Sequence, residues 1–268
     1  MMPIIKWELR QRKSALFGWT AASIILTVII LLVYPSIRDQ AQQLNKVINT
    51  LPGGLRGLKT GSSSAVDVGS PVGFLNSQLY YATLPFLLII MVVTRFSALL
   101  GRDEQNHTLE LLLSRPISRG RVLLGKALAG TLELAIVSGL TNLVIMILNP
   151  IVGLDISIGR LVLMAAYLTL FCLSFGAITL AISAVGRLTK RAATGIAILV
   201  SLGGYILQSM SGLTHYLHTP AKFAPYHYFD PTDILNGHVS SGLNAYLLGT
   251  LVLAATVGYL GFRRRDIN

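Results

Sequence analysis

Four groups of residues in this chain have types and spacings that can do chemistry. His215 and His218 stand three apart, and His227, Asp230, Asp233 and His238 follow in the same segment, a set with the character of zinc ligands. Gly120, Gly125 and Lys126 complete a GxxxxGK string, the start of a loop that cradles phosphate with backbone amides. Glu133 is the one acidic residue well inside an apolar run, where a charge is costly and commonly functional. Thr194, Ser201 and Gln208 put weakly polar groups on one stripe of another apolar run.

Each group also has a plainer reading. Tyr216, Phe223, Tyr226, Tyr228 and Phe229, with Pro220, Pro225 and Pro231, suit anchoring at a membrane–water boundary at least as well as they suit a metal site. No metal is assigned. The residue after Lys126 is Ala127 where a phosphate loop needs Ser or Thr for magnesium; no strand precedes the string, and its interior is apolar. Nucleotide binding is therefore not assigned to this chain. Glu133 shares a helical face with Lys126, Gly130, Val137 and Thr141. It can line a cavity or meet a cationic substrate, or it can contact Lys126 or a neighbouring helix, or stand protonated. On the other run, Thr194, Ala197, Ser201, Gly204, Gln208 and Ser211 share a face, a pattern that usually means close helix packing.

The elements that must position these residues are membrane helices. The chain has 268 residues, 53% hydrophobic and only 12% charged, with mean hydropathy +0.64. Soluble domains carry about 25% charged residues. The lone Cys172 excludes an intramolecular disulfide framework. Six runs reach the ~20 residues that cross a bilayer: 17–33, 79–100, 122–148, 161–185, 192–211 and 243–262. The expectation is a single all-α transmembrane domain over 1–268. Residues 1–16 form an interfacial helix, with Trp7 at headgroup depth and Lys6, Arg10, Arg12 and Lys13 facing anionic lipid. No small-residue cleavage site follows the first run, so an uncleaved first helix is expected. Segments 34–78 and 212–242 are expected outside the cell, the first holding an amphipathic helix with Ile37, Ala41, Leu44, Ile48 and Leu51 on one face. Pro85 lies near the outer end of the second span, where a proline can act as a hinge. Arg95 lies near its inner end, where it can snorkel to the interface.

Sixteen of the 22 Lys and Arg residues fall on the four segments that six spans and an inside N-terminus place in the cytosol. Both termini and the 103–126 connection are thus expected to be cytoplasmic. The clustering of charge at span ends is an orientation signal rather than a nucleic-acid stripe, and no nucleic acid is expected as a partner. In the connection, Thr108 can cap a helix with Glu110 in its first turn, and Leu109, Leu111, Leu112 and Leu113 form an apolar body. Pro116 ends it, and Arg115, Arg119 and Arg121 lead back to the membrane. A two-turn helix held between spans is a knob that fits a partner's groove.

The run Thr108-Leu109-Glu110-Leu111-Leu112-Leu113, followed by Arg115-Pro116-Ile117-Ser118-Arg119 and Gly125-Lys126, resembles the signature between spans two and three of the type-2 ABC exporter permeases, the ABC-2 family. Six spans, inside termini and the Phe223–Pro231 segment before the last span extend the resemblance over the whole chain. One departure is His107, where members usually have glycine. The resemblance implies that Thr108 to Ser114, with Arg115, form a short cytosolic coupling helix docking on a separate ATPase subunit, which would bind ATP and magnesium. It implies a second copy of the chain, or a homologous permease, as partner. It also makes Glu133, Thr194, Ser201 and Gln208 candidates for a translocation path, the stripe of the fifth span lying at a dimer seam. The location implied is the plasma membrane of a bacterium or archaeon, and the function is export. The competing readings are an intramembrane or outer-face metal-dependent enzyme and a membrane scaffold or sensor that transports nothing.

Overall fold

A computed structural model of the protein describes residues 2–51, 67–105, 119–185, 190–211 and 215–264. The expected coupling helix, Thr108 to Ser114 with Arg115, lies outside them. Among the described residues the secondary structure is helical, without strands.

The chain begins with α1 (Met2–Gln11) and breaks at Arg12, whose φ of −117° and ψ of 19° leave the helical region. The apolar helix α2 (Lys13–Leu32) follows. Pro35 opens α3 (Tyr34–Asp39), where its missing N–H costs nothing, so helix continues well past the apolar run ending at Val33. Next comes α4 (Ala41–Thr50), the amphipathic segment read from the sequence. It holds the chain that returns to the bundle: Asn45 donates to Asp67 at 2.6 Å and accepts from the Val68 amide at 3.0 Å.

The second membrane helix begins earlier than its hydropathy suggests. Ser70 caps the Gly73 amide at 3.1 Å and Pro71 opens α5 (Pro71–Leu75). A π-helical turn (Asn76–Tyr80) leads into α6 (Thr83–Gln105). The polar run Asn76-Ser77-Gln78 lowers the hydropathy here, yet Asn76 and Ser77 are buried. The long α7 (Arg119–Ile151) keeps Pro150 in its last turn. Beyond it the Asn149 side chain donates to the Ile156 carbonyl at 2.8 Å and accepts from the Ile156 amide at 3.1 Å. That clamp folds a turn with positive φ at Gly153 and Asp155 and launches α8 (Ile158–Val185). Then come α9 (Lys190–Met210), three short helices α10 (His215–Ala221), α11 (Pro225–Tyr228) and α12 (Pro231–Leu235), and α13 (Ser241–Arg264).

Among the described residues, six helical stretches are long and apolar enough to cross a membrane: Lys13–Asp39, Pro71–Leu99, Gly120–Ile151, Ile158–Val185, Ala192–Met210 and Ser241–Arg263. The protein is an all-α, multi-pass membrane protein. Helix α8 is its centre, packing on α6, α7, α9, α12 and α13. Close approach depends on small residues. A Cβ on Gly130 of α7 would meet the Phe96 ring at 2.7 Å, and one on Gly176 of α8 would meet Val92 at 2.7 Å and the same ring at 3.1 Å. The Phe96 ring of α6 therefore wedges into two facing glycine notches. Outward faces carry exposed Phe17, Ile25 and Leu32 on α2 and Leu248, Val252 and Leu253 on α13, as lipid-facing surfaces do.

Candidate functional site

The four buried charged side chains of the described residues converge on one place. Glu8 comes from α1, Arg95 from α6, and Lys126 and Glu133 from α7. Lys126 and Glu133 are two turns apart on the α7 face that looks inward. Ile5 and Leu9 half-bury on either side of Glu8 as α1 packs on α7, which carries the carboxylate into the protein interior.

The contacts form a chain. Arg95 Nη2 donates to Glu8 Oε2 at 2.8 Å, and Lys126 Nζ donates to Glu8 Oε1 at 3.1 Å. Lys126 Nζ also donates to the Leu99 carbonyl of α6 at 2.7 Å. Arg95 Nε lies 2.6 Å from Glu133 Oε2, an ion pair by distance whose N–H is not aimed along the line between them. Glu133 Oε1 receives no hydrogen bond from the described residues. The four side chains are 1–6% exposed. Two anions and two cations balance, which is the condition for keeping charge in so dry a place. Burial pushes the Glu8 carboxyl up, and the Lys126 ammonium and Arg95 guanidinium more than reverse this, holding it below the ordinary glutamate value.

One sequence expectation changes here: Arg95 is buried and turns toward two carboxylates. Of the contacts open to Glu133, the one present is to a neighbouring helix, through Arg95 of α6, while Lys126, on the same face of α7, reaches Glu8. Sequence reasoning missed Glu8. Its signal was that an acid among the basic residues of an interfacial helix needs a partner, and Arg95 and Lys126 were the cations left near the inner ends of spans.

The other candidates lie elsewhere. Ser201 is buried, Gly204 lies against Pro225, and Gln208 Oε1 is 3.3 Å from His227 Nδ1, so this stripe of α9 faces α11 within the chain. Thr194 is half-buried on the same helix. Pro85 is buried in the first turn of α6, just beyond the π-helical turn, and its carbonyl is 4.0 Å from the buried Cys172 sulfur. The GxxxxGK string is continuous helix at the start of α7, with no loop to cradle phosphate. Among the described residues no three His, Cys, Asp or Glu side chains come together as a metal site.

The outer aromatics divide in two. Tyr216 and Phe223 are 89% and 85% exposed, whereas Tyr226 and Phe229 are 1% exposed. Phe229 stacks on Phe171 at 4.2 Å between ring centroids, and Tyr226 packs edge-on against Phe171 and Tyr205. Thus α11 and α12 fold back into the bundle rather than lying on its rim.

Residues 2–267, essentially the whole chain, match the model of the ABC-2 family transporter proteins, and the chain belongs to that family. No curated protein is similar enough to give a significant match. The protein is a multi-pass membrane transport subunit of the ABC-2 type.

Proposed function

We propose that the chain is the membrane-spanning permease subunit of an ATP-binding cassette exporter. It forms the translocation path, alone with a second copy or with a homologous permease, and works with a separate ATPase subunit that binds ATP and magnesium. The family match over 2–267 carries this reading. The six membrane helices support it. In this reading the termini and the 106–118 connection face the cytosol, the membrane is the plasma membrane of the cell, and Thr108 to Ser114 with Arg115 dock on the ATPase. Closure of the ATPases on ATP pulls this connection, and α6 and α7, its two stems, carry the movement into the bundle.

Affinity purification of the tagged chain from its native membranes tests the pairing. The expected partner is a phosphate-loop ATPase, identified by mass spectrometry, whose magnesium-dependent ATP hydrolysis stays with the complex. A chain recovered repeatedly without such a partner would overturn the reading. Replacing Glu110 and Leu112 together with Arg is expected to abolish recovery of the ATPase while the permease keeps its thermal midpoint, since a groove built for leucine does not admit two new cations.

A further inference from the structure

Glu8 is the single group through which α1 enters the buried charge cluster, and both of its oxygens are used. One holds Arg95 of α6 and the other holds Lys126 of α7, which itself reaches back to the Leu99 carbonyl of α6. Three helices therefore share one carboxylate. Arg95 and Leu99 lie on α6 as it runs toward residue 105, and Lys126 lies on α7 as it leaves residue 119. These are the stems of the connection proposed to meet the ATPase. Without Glu8, two buried cations would face Glu133 alone, and a buried cluster with one uncompensated charge is strongly disfavoured. A helix of ten residues does not hold itself together in water. Apart from Glu8, α1 rests on α7 through the half-buried Ile5 and Leu9, while Lys6, Trp7 and Arg10 are exposed.

We propose that Glu8 is a clasp that binds α1 to α6 and α7 as one rigid body, so that α1 moves with the two stems of the 106–118 connection. The surface helix then belongs to the transmission machinery and is more than a lipid anchor. This role in transmission rests on the ATPase-docking reading above; the clasp itself does not.

A nitroxide placed by Lys6→Cys in a Cys172→Ala background reads the motion of α1 in the full chain, in lipid nanodiscs and without any partner. The parent label is expected to share the slow motion of the bundle. Glu8→Gln with Lys126→Met keeps the cluster neutral, leaving Arg95 with Glu133. It is expected to raise the label's mobility several-fold while the thermal midpoint stays near that of the parent. A label just as immobile as in the parent would show that packing and lipid hold α1, and would overturn the clasp. If the double variant does not fold, Glu8→Asp keeps the charge and shortens the reach; intermediate mobility supports the clasp and parent-like immobility overturns it. With the co-purified ATPase, the double variant is expected to bind the subunit as the parent does but to lose several-fold in nucleotide-dependent movement of the label. Movement equal to the parent's would remove α1 from the transmission path. A parent that binds no ATPase would sink the docking reading and leave the partner-free result intact.

Discussion

At the scale of single residues, the chemistry of this chain is the chemistry of Glu8. Its carboxyl is held below the ordinary value of 4.5, because the charges of Lys126 and Arg95 outweigh the burial that pushes it up, with Glu133 as the other acid in reach and Arg12 acting on Glu133. A carboxylate with a lowered folded value contributes stability that is fully present above its unfolded value and is lost as pH falls through the folded one. Glu8→Gln is thus expected to lower stability by about 3 kcal/mol at neutral pH, the size seen when one partner leaves a buried pair. The gap between parent and variant should hold from pH 7 down to about 5 and narrow steadily below about 4.5. Thermal unfolding in detergent across that range checks it; a gap independent of pH would mean that Glu8 is held for its shape alone. Glu133 was legible in the sequence as a costly buried acid, and Lys126 as its neighbour on one face. The pairing was not, because it depends on where α1 docks, and no local pattern encodes a contact between residues 8 and 126.

At the scale of elements, the bundle is held by a wedge and by polar stitches. Phe96 sits between Gly130 and Gly176, so a methyl on either glycine has no direction in which to push the ring. Gly176→Ala gains about 1 kcal/mol of helix propensity, and overpacking is expected to cost about 1–3 kcal/mol. The net expectation is a destabilised variant that Phe96→Leu partly repairs, whereas Gly139→Ala, with open space around it, is neutral or slightly stabilising. Midpoints for the three variants decide this, and a Gly176→Ala protein as stable as its parent would refute the wedge. The Ser23–Thr141 and Ser138–Thr169 hydroxyl pairs, each at 2.8 Å, and the Tyr80 to Asn142 bond at 2.8 Å stitch α2, α8 and the π-helical turn to α7. Six apolar runs made the membrane helices easy to read. Their limits were not, because hydropathy marks where apolar residues stop and helix stops elsewhere: Pro35 opens α3 beyond the first run, and the buried Asn76 and Ser77 hide the true start of the second. The outer segment misled differently, since aromatic and proline content is the same for a helix on the rim and for Tyr226 and Phe229 folded into the core.

At the scale of the molecule, the distribution of charge sets a direction that hydropathy alone does not. α1 lies with the end of α6 and the start of α7 at one end of the bundle, where Glu8 meets Arg95 and Lys126, and Gly120 at the head of α7 lies against the Tyr259 ring near the tail of α13. Sixteen of the 22 basic residues fall on the segments that the six-span reading of the sequence assigns to that end, and the reverse orientation would carry them across the membrane against the positive-inside bias. The opposite end carries α4 and the α10–α12 segment, with Gln42 and Asn236 exposed on them. In a Cys172→Ala background, Gln42→Cys and Asn236→Cys are expected to react with a membrane-impermeant maleimide applied to intact cells. Lys6→Cys is expected to react only after the membrane is opened. The opposite pattern would place the 106–118 connection outside the cell, beyond the reach of any cytosolic ATPase. The proposed docking of an ATPase on the 106–118 connection requires that connection to be cytosolic, so the labelling pattern tests the transport reading as much as it tests the orientation.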